Sequence, residues 1–345
     1  MLKAERNRKA GTKEAGFTLL ETLVAMAVLL AVGAIVLYGT IQMTRTQGTI
    51  SNRTEMHTSV RSATELLQQE IGQAGRVSPP LNSTGTAAAV MTLNTAVVVV
   101  NAPVTASVGI SPSTAAAGLY NGEYLVVDTT DLLGNALQET VQITCSNPCA
   151  SPITATFNNS HAIGAPIRVQ GSFAYGIVPP SVTNGSDATH LKLFGDVNGD
   201  GNMVYVEYTC SPGTQAAPGF LYRNQIAWNA ASKPAVSSDM IMLNNLLVNP
   251  VDQNGNAFPC FQYQTKTIGT CPGTWPTCRA YVTDVEVTLT EQTEYQDPTS
   301  KQFQTETKAL LNVSPRNVFN AWELDGAGQL SRVQPTPPTI TALLP

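Results

Sequence analysis

An unbroken apolar run near the start of the chain limits most strongly what this sequence can fold into. Residues 17–39 read FTLLETLVAMAVLLAVGAIVLYG, and only Thr18, Glu21 and Thr22 are polar before Tyr38. As a helix rising about 1.5 Å per residue, the run would be about 33 Å long, which is enough to cross a hydrocarbon core of about 30 Å. We therefore predict a membrane-spanning helix in this part of the chain.

The charges around this run are unevenly distributed. Residues 1–16 contain five basic and two acidic side chains, a net charge of +3, whereas the other 329 residues contain 14 basic and 22 acidic side chains, a net charge of -8. Basic residues beside a spanning helix are retained on the cytoplasmic side, so we expect a cytoplasmic leader and a bulk that faces the other side. The negative bulk also argues against direct nucleic-acid binding through a broad surface.

Two simpler interpretations account for the run less well. A cleaved secretory signal has a shorter apolar core followed by a small-residue cleavage site, and this sequence has neither. A plain membrane anchor leaves Glu21 unexplained, because a carboxylate inside an apolar helix is costly and is expected to have a partner or a special role.

The string G-F-T-L-L-E at residues 16–21, followed by the apolar helix, resembles the class III (prepilin) signal of type IV pilins and type II secretion pseudopilins. The resemblance implies cleavage after Gly16 by an inner-membrane prepilin peptidase and N-methylation of Phe17. It also implies an assembly salt bridge in which Glu21 neutralises the Phe17 ammonium of a neighbouring subunit, because an unpaired charge in a low-dielectric bundle is expensive. Many major pilins have a kinking proline some twenty residues into the helix, where this chain has Tyr38 and Gly39.

The helical pattern continues beyond the membrane. Residues 44–76 carry one apolar stripe at the helical period, formed by Met56, Val60, Ala63, Leu67, Ile71 and Ala74. Gly75 and the Ser78-Pro79-Pro80 run predict the end of the helix. The stripe is typical of a face packed on a core, and this agrees with the α+β type IV pilin fold that the resemblance implies. In that fold, the first half of one long N-terminal helix spans the membrane and the second half packs on an antiparallel β-sheet domain with extended loops.

After Pro80 the helical period disappears, and short β-branched runs separated by turn residues predict strands. We predict strands at Val97–Val100, Tyr124–Val127, Val141–Thr144, Ile167–Val169, Val204–Tyr208, Met240–Met242, Tyr281–Leu289 and Phe303–Val313. In the clearest strand, Tyr281, Thr283, Val285, Val287 and Leu289 are expected on one face. The predicted divisions are a leader (1–16), a membrane or filament-core helix (17–43), an amphipathic helix (44–76), a periplasmic β-rich globular domain (77–330) and a disordered proline-rich tail (331–345).

Three later stretches add to the resemblance. Tyr208-Thr209-Cys210, the hairpin turn at Asp297-Pro298, and Ser314-Pro315-Arg316-Asn317 look like those of PilW-type minor pilins, which are related to the type II secretion J pseudopilin. Such a protein is a structural subunit that helps to prime or cap a type IV pilus. Its implied partners are other minor and major pilins, the prepilin peptidase and the inner-membrane assembly platform, and its implied location is the inner membrane and then the pilus at the cell surface. A J-like pseudopilin is the alternative, and a membrane-tethered adhesin or binding module is a more remote one.

Six cysteines follow the apolar run: Cys145, Cys149, Cys210, Cys260, Cys271 and Cys278. An even number beyond a membrane signal indicates disulfides in an oxidising compartment. Closeness in sequence favours Cys145–Cys149 and Cys271–Cys278, which leaves Cys210–Cys260, although six cysteines allow about 15 connectivities. A zinc site is disfavoured because the spacings are poor and the loops contain no histidine.

Residues 196–207 match the calcium-loop pattern D-x-[DN]-x-[DN]-G-x5-E. The predicted ligands are the side chains of Asp196, Asn198 and Asp200, the carbonyl of Asn202, and Glu207 at the twelfth position. The residues after the loop alternate like a strand, which could carry Glu207 away from the ion. The competing interpretation is an Asn-Gly/Asp-Gly hairpin turn, for which this composition is equally suited.

The sequence contains little that predicts catalysis. The three histidines, His57, His161 and His190, have no metal-ligand or triad spacing, and no phosphate-binding or hydrolase motif is present. We therefore predict that the chain is not an enzyme, with no cofactor other than calcium.

Overall fold

The computed structural model describes residue 16 and residues 18–82, 89–130, 136–146, 148–270 and 276–343. Its first element is α1 (Leu19–Gln73), a single helix of 55 residues that extends over about 82 Å at about 1.5 Å per residue. Thr18 is the N-cap, and its hydroxyl oxygen accepts a hydrogen bond from the Glu21 backbone N–H. The predicted membrane and amphipathic segments therefore form one continuous helix.

The helix ends where the sequence predicts. Gly75 adopts a positive φ of +82°, a conformation that glycine reaches without strain and that commonly terminates helices. The Asn317 side-chain amide donates a hydrogen bond of 3.0 Å to the Gln73 carbonyl, and the Gly75 N–H donates one to the Phe194 carbonyl. These contacts satisfy backbone groups at the helix end that no intrahelical partner reaches.

The two halves of α1 lie in different environments. The large apolar side chains from Leu19 to Met43 are exposed, and no part of the most hydropathic window is buried inside the structure. In contrast, all six residues of the predicted apolar stripe, from Met56 to Ala74, are buried. The helical stripe and its packing role are thus confirmed. The apolar side chains of the first half of the helix are exposed.

The remaining elements are mostly strands. Their bounds are β1 (Met91–Leu93), β2 (Val104–Val108), β3 (Ile110–Ser111), β4 (Tyr124–Thr130), β5 (Ala136–Thr144), β6 (Ile153–Phe157), β7 (Pro166–Val169), β8 (Ser172–Phe173), β9 (His190–Gly195), β10 (Val204–Ser211), β11 (Gly219–Ala227), β12 (Ile241–Leu247), β13 (Phe261–Gly269), β14 (Cys278–Gln292), β15 (Thr305–Val313) and β16 (Val333–Gln334). Two short helices, α2 (Arg316–Gly326) and α3 (Pro338–Leu343), follow β15.

The strands form two large sheets. The first sheet has seven strands in the order β2-β6-β5-β4-β7-β1-β3, and the second has the order β13-β14-β12-β11-β10-β9 with β15 paired to β14. All pairings within the two sheets are antiparallel. The buried half of α1 packs on the second sheet, where Leu67 and Ile71 share a core with Val206 and Leu289. The predicted α+β class, a long helix on antiparallel sheet, is confirmed.

Two details of the predicted strands are wrong. Residues 97–100 form no strand, because Val97 makes only an isolated bridge to His161 while Val98 and Val100 are exposed. In β14, the register to β13 shifts beside Gln264, so that Thr283 is skipped in the pairing. Such a bulge reverses which side chains face the core. Accordingly, Val282 joins Val285 in the core against α1, whereas Tyr281 lies in a separate cluster with α2.

The predicted disorder of the C-terminal tail is also wrong for the described residues up to 343. Val333 and Gln334 form β16, which pairs in parallel with β8, and Val333, Gln334 and Ile340 are completely buried. The Gln334 side chain accepts from the Tyr124 N–H at 2.9 Å and donates to the Tyr124 carbonyl at 2.8 Å and the Gln170 carbonyl at 2.7 Å. The prolines indicate an irregular segment, but these buried contacts fix it.

Candidate functional site

The candidate assembly site lies at the start of α1. Gly16 and Glu21 are both exposed, and Phe17 lies outside the described residues. Thr18 and Glu21 occupy the N-cap position and the third helical position, the spacing of a capping box. A carboxylate here also interacts favourably with the positive end of the helix dipole. Glu21 therefore stabilises the start of the helix in addition to any contact with another subunit.

The exposed half of α1 gives Glu21 an apolar setting. Leu19, Leu20, Leu23 and Val24 surround it in sequence, and each has more than half of its surface exposed. When such a helix is buried in lipid or among other helices, a carboxylate on it needs a proton or a cation. The role of Glu21 in assembly stays a prediction.

The buried half of α1 is fixed to the second sheet by a polar anchor that the sequence analysis missed. Glu70 is buried, and its carboxylate accepts hydrogen bonds from the Tyr208 hydroxyl at 2.5 Å and from Arg223 Nε at 3.0 Å. Burial and the neighbouring carboxylate raise the pKa of Tyr208. Burial opposes the charge on Arg223, but its hydrogen bond to Glu70 and the attraction of that carboxylate together outweigh burial and raise the pKa of Arg223. The only signal in the sequence is that Glu70 directly precedes Ile71 of the stripe.

A second contact joins α1 to the β14–β15 connection. Asp297 begins the turn that the sequence predicts there, and its carboxylate accepts hydrogen bonds from the backbone N–H groups of Thr299 and Ser300 and from the Thr49 hydroxyl. These hydrogen bonds, that of Ser300 first, lower the pKa of Asp297 to about 2. At Gly48 the approach is so close that an added Cβ would lie 3.2 Å from Pro298 Cγ. The globular part therefore reaches α1 five residues after Met43, the last residue of the predicted membrane segment.

A third contact joins α1 to β14, between the contacts of Glu70 and Asp297 along the helix, and it contains acidic side chains. Glu291 of β14 is buried, and the Ser59 hydroxyl lies 2.7 and 2.8 Å from its two carboxylate oxygens. Burial raises the pKa of Glu291 to about 7, and the nearby carboxylates of Glu306 and Glu55 add to the effect. His57 Nδ1 contacts the Glu306 carboxylate. This helix–sheet contact therefore changes its charge near neutral pH.

The structure contains disulfides between Cys145 and Cys149 and between Cys210 and Cys260. Cys278 is also disulfide-bonded, but its predicted partner Cys271 lies outside the described residues. The Cys210–Cys260 bond joins β10 to the residue just before β13, so it closes the core on which α1 packs.

The predicted calcium ligands do not all converge. Residues 196–202 form the β9–β10 connection, in which Asp196 is buried and accepts from the Gly201 N–H, and Asp200 accepts from the Asn202 N–H. Among the described residues, Asp196 Oδ2 has no hydrogen-bond partner, and Arg76 Nε lies 3.5 Å from it. The Arg76 guanidinium thus supplies a positive charge beside this loop.

The Glu207 carboxylate binds other side chains away from this loop. It lies opposite Lys192 in the β9–β10 pairing, three residues beyond Val204 at the base of the hairpin, which is about 10 Å along the strand. Lys233 Nζ lies 2.8 Å from its carboxylate, and the Tyr205 hydroxyl donates to it at 2.6 Å. Across the described ranges, no group of three or more His, Cys, Asp or Glu side chains is arranged to hold a metal ion. Calcium binding by this loop stays a prediction.

Together, the fold and the N-terminal site define a membrane-anchored protein of pilin-like architecture, with a long apolar helix followed by antiparallel β-sheet. Residues 11–37 match the family model described as the prokaryotic N-terminal methylation motif, which supports a type IV pilin-like prepilin. Proteins with this motif are structural, and it implies interaction with other pilins and with a prepilin peptidase. No curated protein and no solved structure matches the chain.

Proposed function

We propose that this chain is a minor pilin of the PilW type, a structural subunit that helps to prime or cap a type IV pilus. The observation that supports this most is the division of α1: one half has a buried stripe fixed to the sheet, and the other half, most of which lies within the methylation motif, exposes its apolar side chains. Cleavage between Gly16 and Phe17 would release the helix from its leader, and bundling of the exposed half with other pilins would bury it.

In this proposal Glu21 pairs with the methylated ammonium of Phe17 on a neighbouring subunit and sets the axial position of the helix. Glu21→Ala should leave leader cleavage intact but reduce the amount of protein in sheared pili at least about tenfold, because an unpaired buried ammonium costs several kcal/mol. Glu65→Ala is the matched control, since Glu65 is an exposed glutamate of the same helix. Quantitative mass spectrometry of pili and membranes measures both, and equal incorporation of the Glu21→Ala protein would refute this role.

Leader cleavage has its own test. Gly16→Arg places a bulky charge at the cleavage position and should yield a membrane protein whose N-terminal peptide still contains the leader. Intact-mass measurement of the wild-type protein should instead give a chain that begins at N-methylated Phe17. A mature wild-type chain that retains residues 1–16 would contradict the proposal.

The same observations fit a J-like pseudopilin of a type II secretion system, and a deletion strain separates the two machines. Loss of surface pili and twitching with secretion intact supports the minor pilin, and the reverse outcome supports the pseudopilin. A strain that retains both, but no longer adheres, supports the membrane-tethered adhesin.

For the loop at residues 196–202 we propose that any bound calcium takes its ligands from Asp196, Asn198, Asp200 and the Asn202 carbonyl, without Glu207. This follows from the ion pair between Glu207 and Lys233. Isothermal titration with calcium should give the same affinity for Glu207→Gln and wild-type protein, whereas Asp200→Ala should abolish the heat of binding. No heat with the wild-type protein would show that the loop is a hairpin turn alone.

A further inference from the structure

Three buried polar side chains form a row across the second sheet. Lys192 of β9, Glu207 of β10 and Asn224 of β11 are direct partners in the two antiparallel pairings, and all three are buried. The residues on either side of Glu207, Val206 and Tyr208, lie in the core that α1 joins, so the row lies on the opposite face of the sheet. Directly opposed residues have Cβ atoms about 4.5–5.5 Å apart, which places the Glu207 side chain next to the Asn224 amide.

The surroundings of this row are apolar. Side chains two positions apart on a strand share a face, and the neighbours of the row on that face are Phe194, Tyr205 and Ile226, which pack in one apolar cluster. The Tyr205 hydroxyl donates a hydrogen bond of 2.6 Å to Glu207 Oε2 and so orients the carboxylate. In such a setting charges and polar atoms are costly unless they are paired.

A second lysine reaches the row from the connection after β11. Lys233 Nζ donates a hydrogen bond of 2.8 Å to Glu207 Oε2, and only 18% of the Lys233 side chain is exposed. The next residue of the same connection contacts Asn224, because the Asn224 side-chain N–H donates to the Pro234 carbonyl at 2.8 Å. One short segment therefore places an amine beside Glu207 and holds the Asn224 amide from the same side.

One polar atom of Asn224 lacks a partner. Within the part of the chain that the structure describes, the Asn224 Oδ1 atom is buried and accepts no hydrogen bond. A buried acceptor without a donor is costly, and a protonated carboxyl group carries the O–H donor that would satisfy it. The neighbouring Glu207 becomes such a donor when it takes a proton.

We propose that Lys233 and Asn224 form an intramolecular isopeptide bond, with Glu207 as the group that transfers the proton. The Lys233 ammonium gives a proton to the Glu207 carboxylate, and the resulting acid donates a hydrogen bond to Asn224 Oδ1. The neutral Nζ attacks Asn224 Cγ, and Glu207 carries a proton from Nζ to Nδ2. The Cγ–Nδ2 bond breaks, and ammonia leaves with the remaining proton as ammonium. An Nζ–Cγ amide and the Glu207 carboxylate remain, and no oxidant or reductant is needed.

The geometry favours Lys233 over Lys192 as the nucleophile. Lys192 lies two strands away from Asn224, about 10 Å across the sheet, with Glu207 between them. Its Nζ donates to the Asn184 carbonyl at 2.7 Å and lies 3.9 Å from Glu207 Oε2. Lys233 instead belongs to the segment that already contacts the Asn224 amide.

The bond would attach the connection after β11 covalently to the sheet beneath it. It is a modification of the globular part, and its formation requires neither leader cleavage nor contact with another subunit. The inference therefore goes beyond the proposed structural function.

The test uses the full-length chain purified from membranes, then reduced, alkylated and denatured. Chymotrypsin cleaves after Trp228, between Asn224 and Lys233, so the two resulting peptides stay joined only if the isopeptide bond is present. The joined species should be lighter than the sum of the two peptides by one ammonia, about 17 Da. Fragment ions should place the link at Asn224 and Lys233.

Two variants should abolish the link. Lys233→Arg keeps a positive charge beside Glu207 but removes the nucleophile, and Glu207→Gln keeps the shape of the side chain but cannot take the proton. Lys266→Arg is the matched control, because Lys266 is an exposed lysine on β13 of the same sheet, and it should retain the link. The proposal is overturned if the wild-type peptides separate, if the link lies at Lys192, if either variant stays joined, or if Lys266→Arg loses the link.

Discussion

Replacing Glu291 with glutamine should stabilise the protein above neutral pH. The folded chain keeps a proton on this carboxyl up to a pKa of about 7, compared with 4.5 for an ordinary glutamate. Between these two values the folded state binds more protons than the unfolded state, so the free energy of unfolding falls as the pH rises through this window. The stabilising contribution is complete below the lower value and lost above the upper one.

The magnitude follows from the size of the shift. A difference of about 2.5 pKa units, which already includes the opposing effect of the Ser59 hydroxyl, corresponds to at most about 3 kcal/mol. We therefore expect Glu291→Gln to be more stable than wild type by about 1–3 kcal/mol at pH of about 8 and nearly equal to it at pH of about 5. For a chain of this size, that is a rise in Tm of several degrees at the higher pH.

Thermal unfolding of the full chain in detergent at the two pH values measures the effect. Burial also raises the pKa of Glu123, to about 8, so the comparison is made between variants at one pH and not from the pH profile of the wild type alone. Glu294→Gln is the control, because Glu294 is an exposed glutamate on the connection that follows β14. Equal Tm values for Glu291→Gln and wild type at the higher pH, or a larger difference at the lower one, would refute the reasoning.

Three further predictions concern the contacts that hold the globular part together. Glu70→Ala leaves Arg223 partly buried and unpaired, and should cost about 3 kcal/mol in thermal unfolding; a loss below about 1 kcal/mol would show that water replaces the carboxylate. Reducing the Cys210–Cys260 bond, which spans 50 residues, should lower the free energy of unfolding by about 4 kcal/mol, and a Cys210→Ser/Cys260→Ser variant that unfolds like the wild type would contradict this. Gln334→Ala removes the four hydrogen bonds of a buried side chain and should cost about 2–4 kcal/mol; hydrogen exchange should then speed up at the Tyr124 amide, and unchanged exchange would argue against it.

The sequence alone could predict the elements with strong periodicity. The stripe from Met56 to Ala74 repeats with the period of a helix, so its buried face and its end near Gly75 are predictable, and the structure confirms both. The alternation in β10 and the turn at Asp297 are local signals of the same kind. Such patterns depend only on residues that are near one another in sequence.

The contacts that join distant segments could not be predicted in this way. The Glu70 anchor depends on Tyr208 and Arg223, which lie 138 and 153 positions away. The bulge in β14 changes the face on which Tyr281 lies, and no glycine in that strand indicates the bulge from the sequence. The order of the tail could not be predicted because proline content describes the local backbone, whereas the order comes from Gln334 and Ile340, which fit between segments far away in sequence.

The glutamine at position 334 also has a consequence for the order of events during folding. Its amide joins Tyr124 and Gln170, yet both sheets precede it along the chain. Because a polypeptide is synthesised from its N-terminal end, every strand of the two sheets exists before Gln334 is added. The contacts of Gln334 can form only after nearly the whole chain has been made, so a chain that ends before residue 334 would lack them.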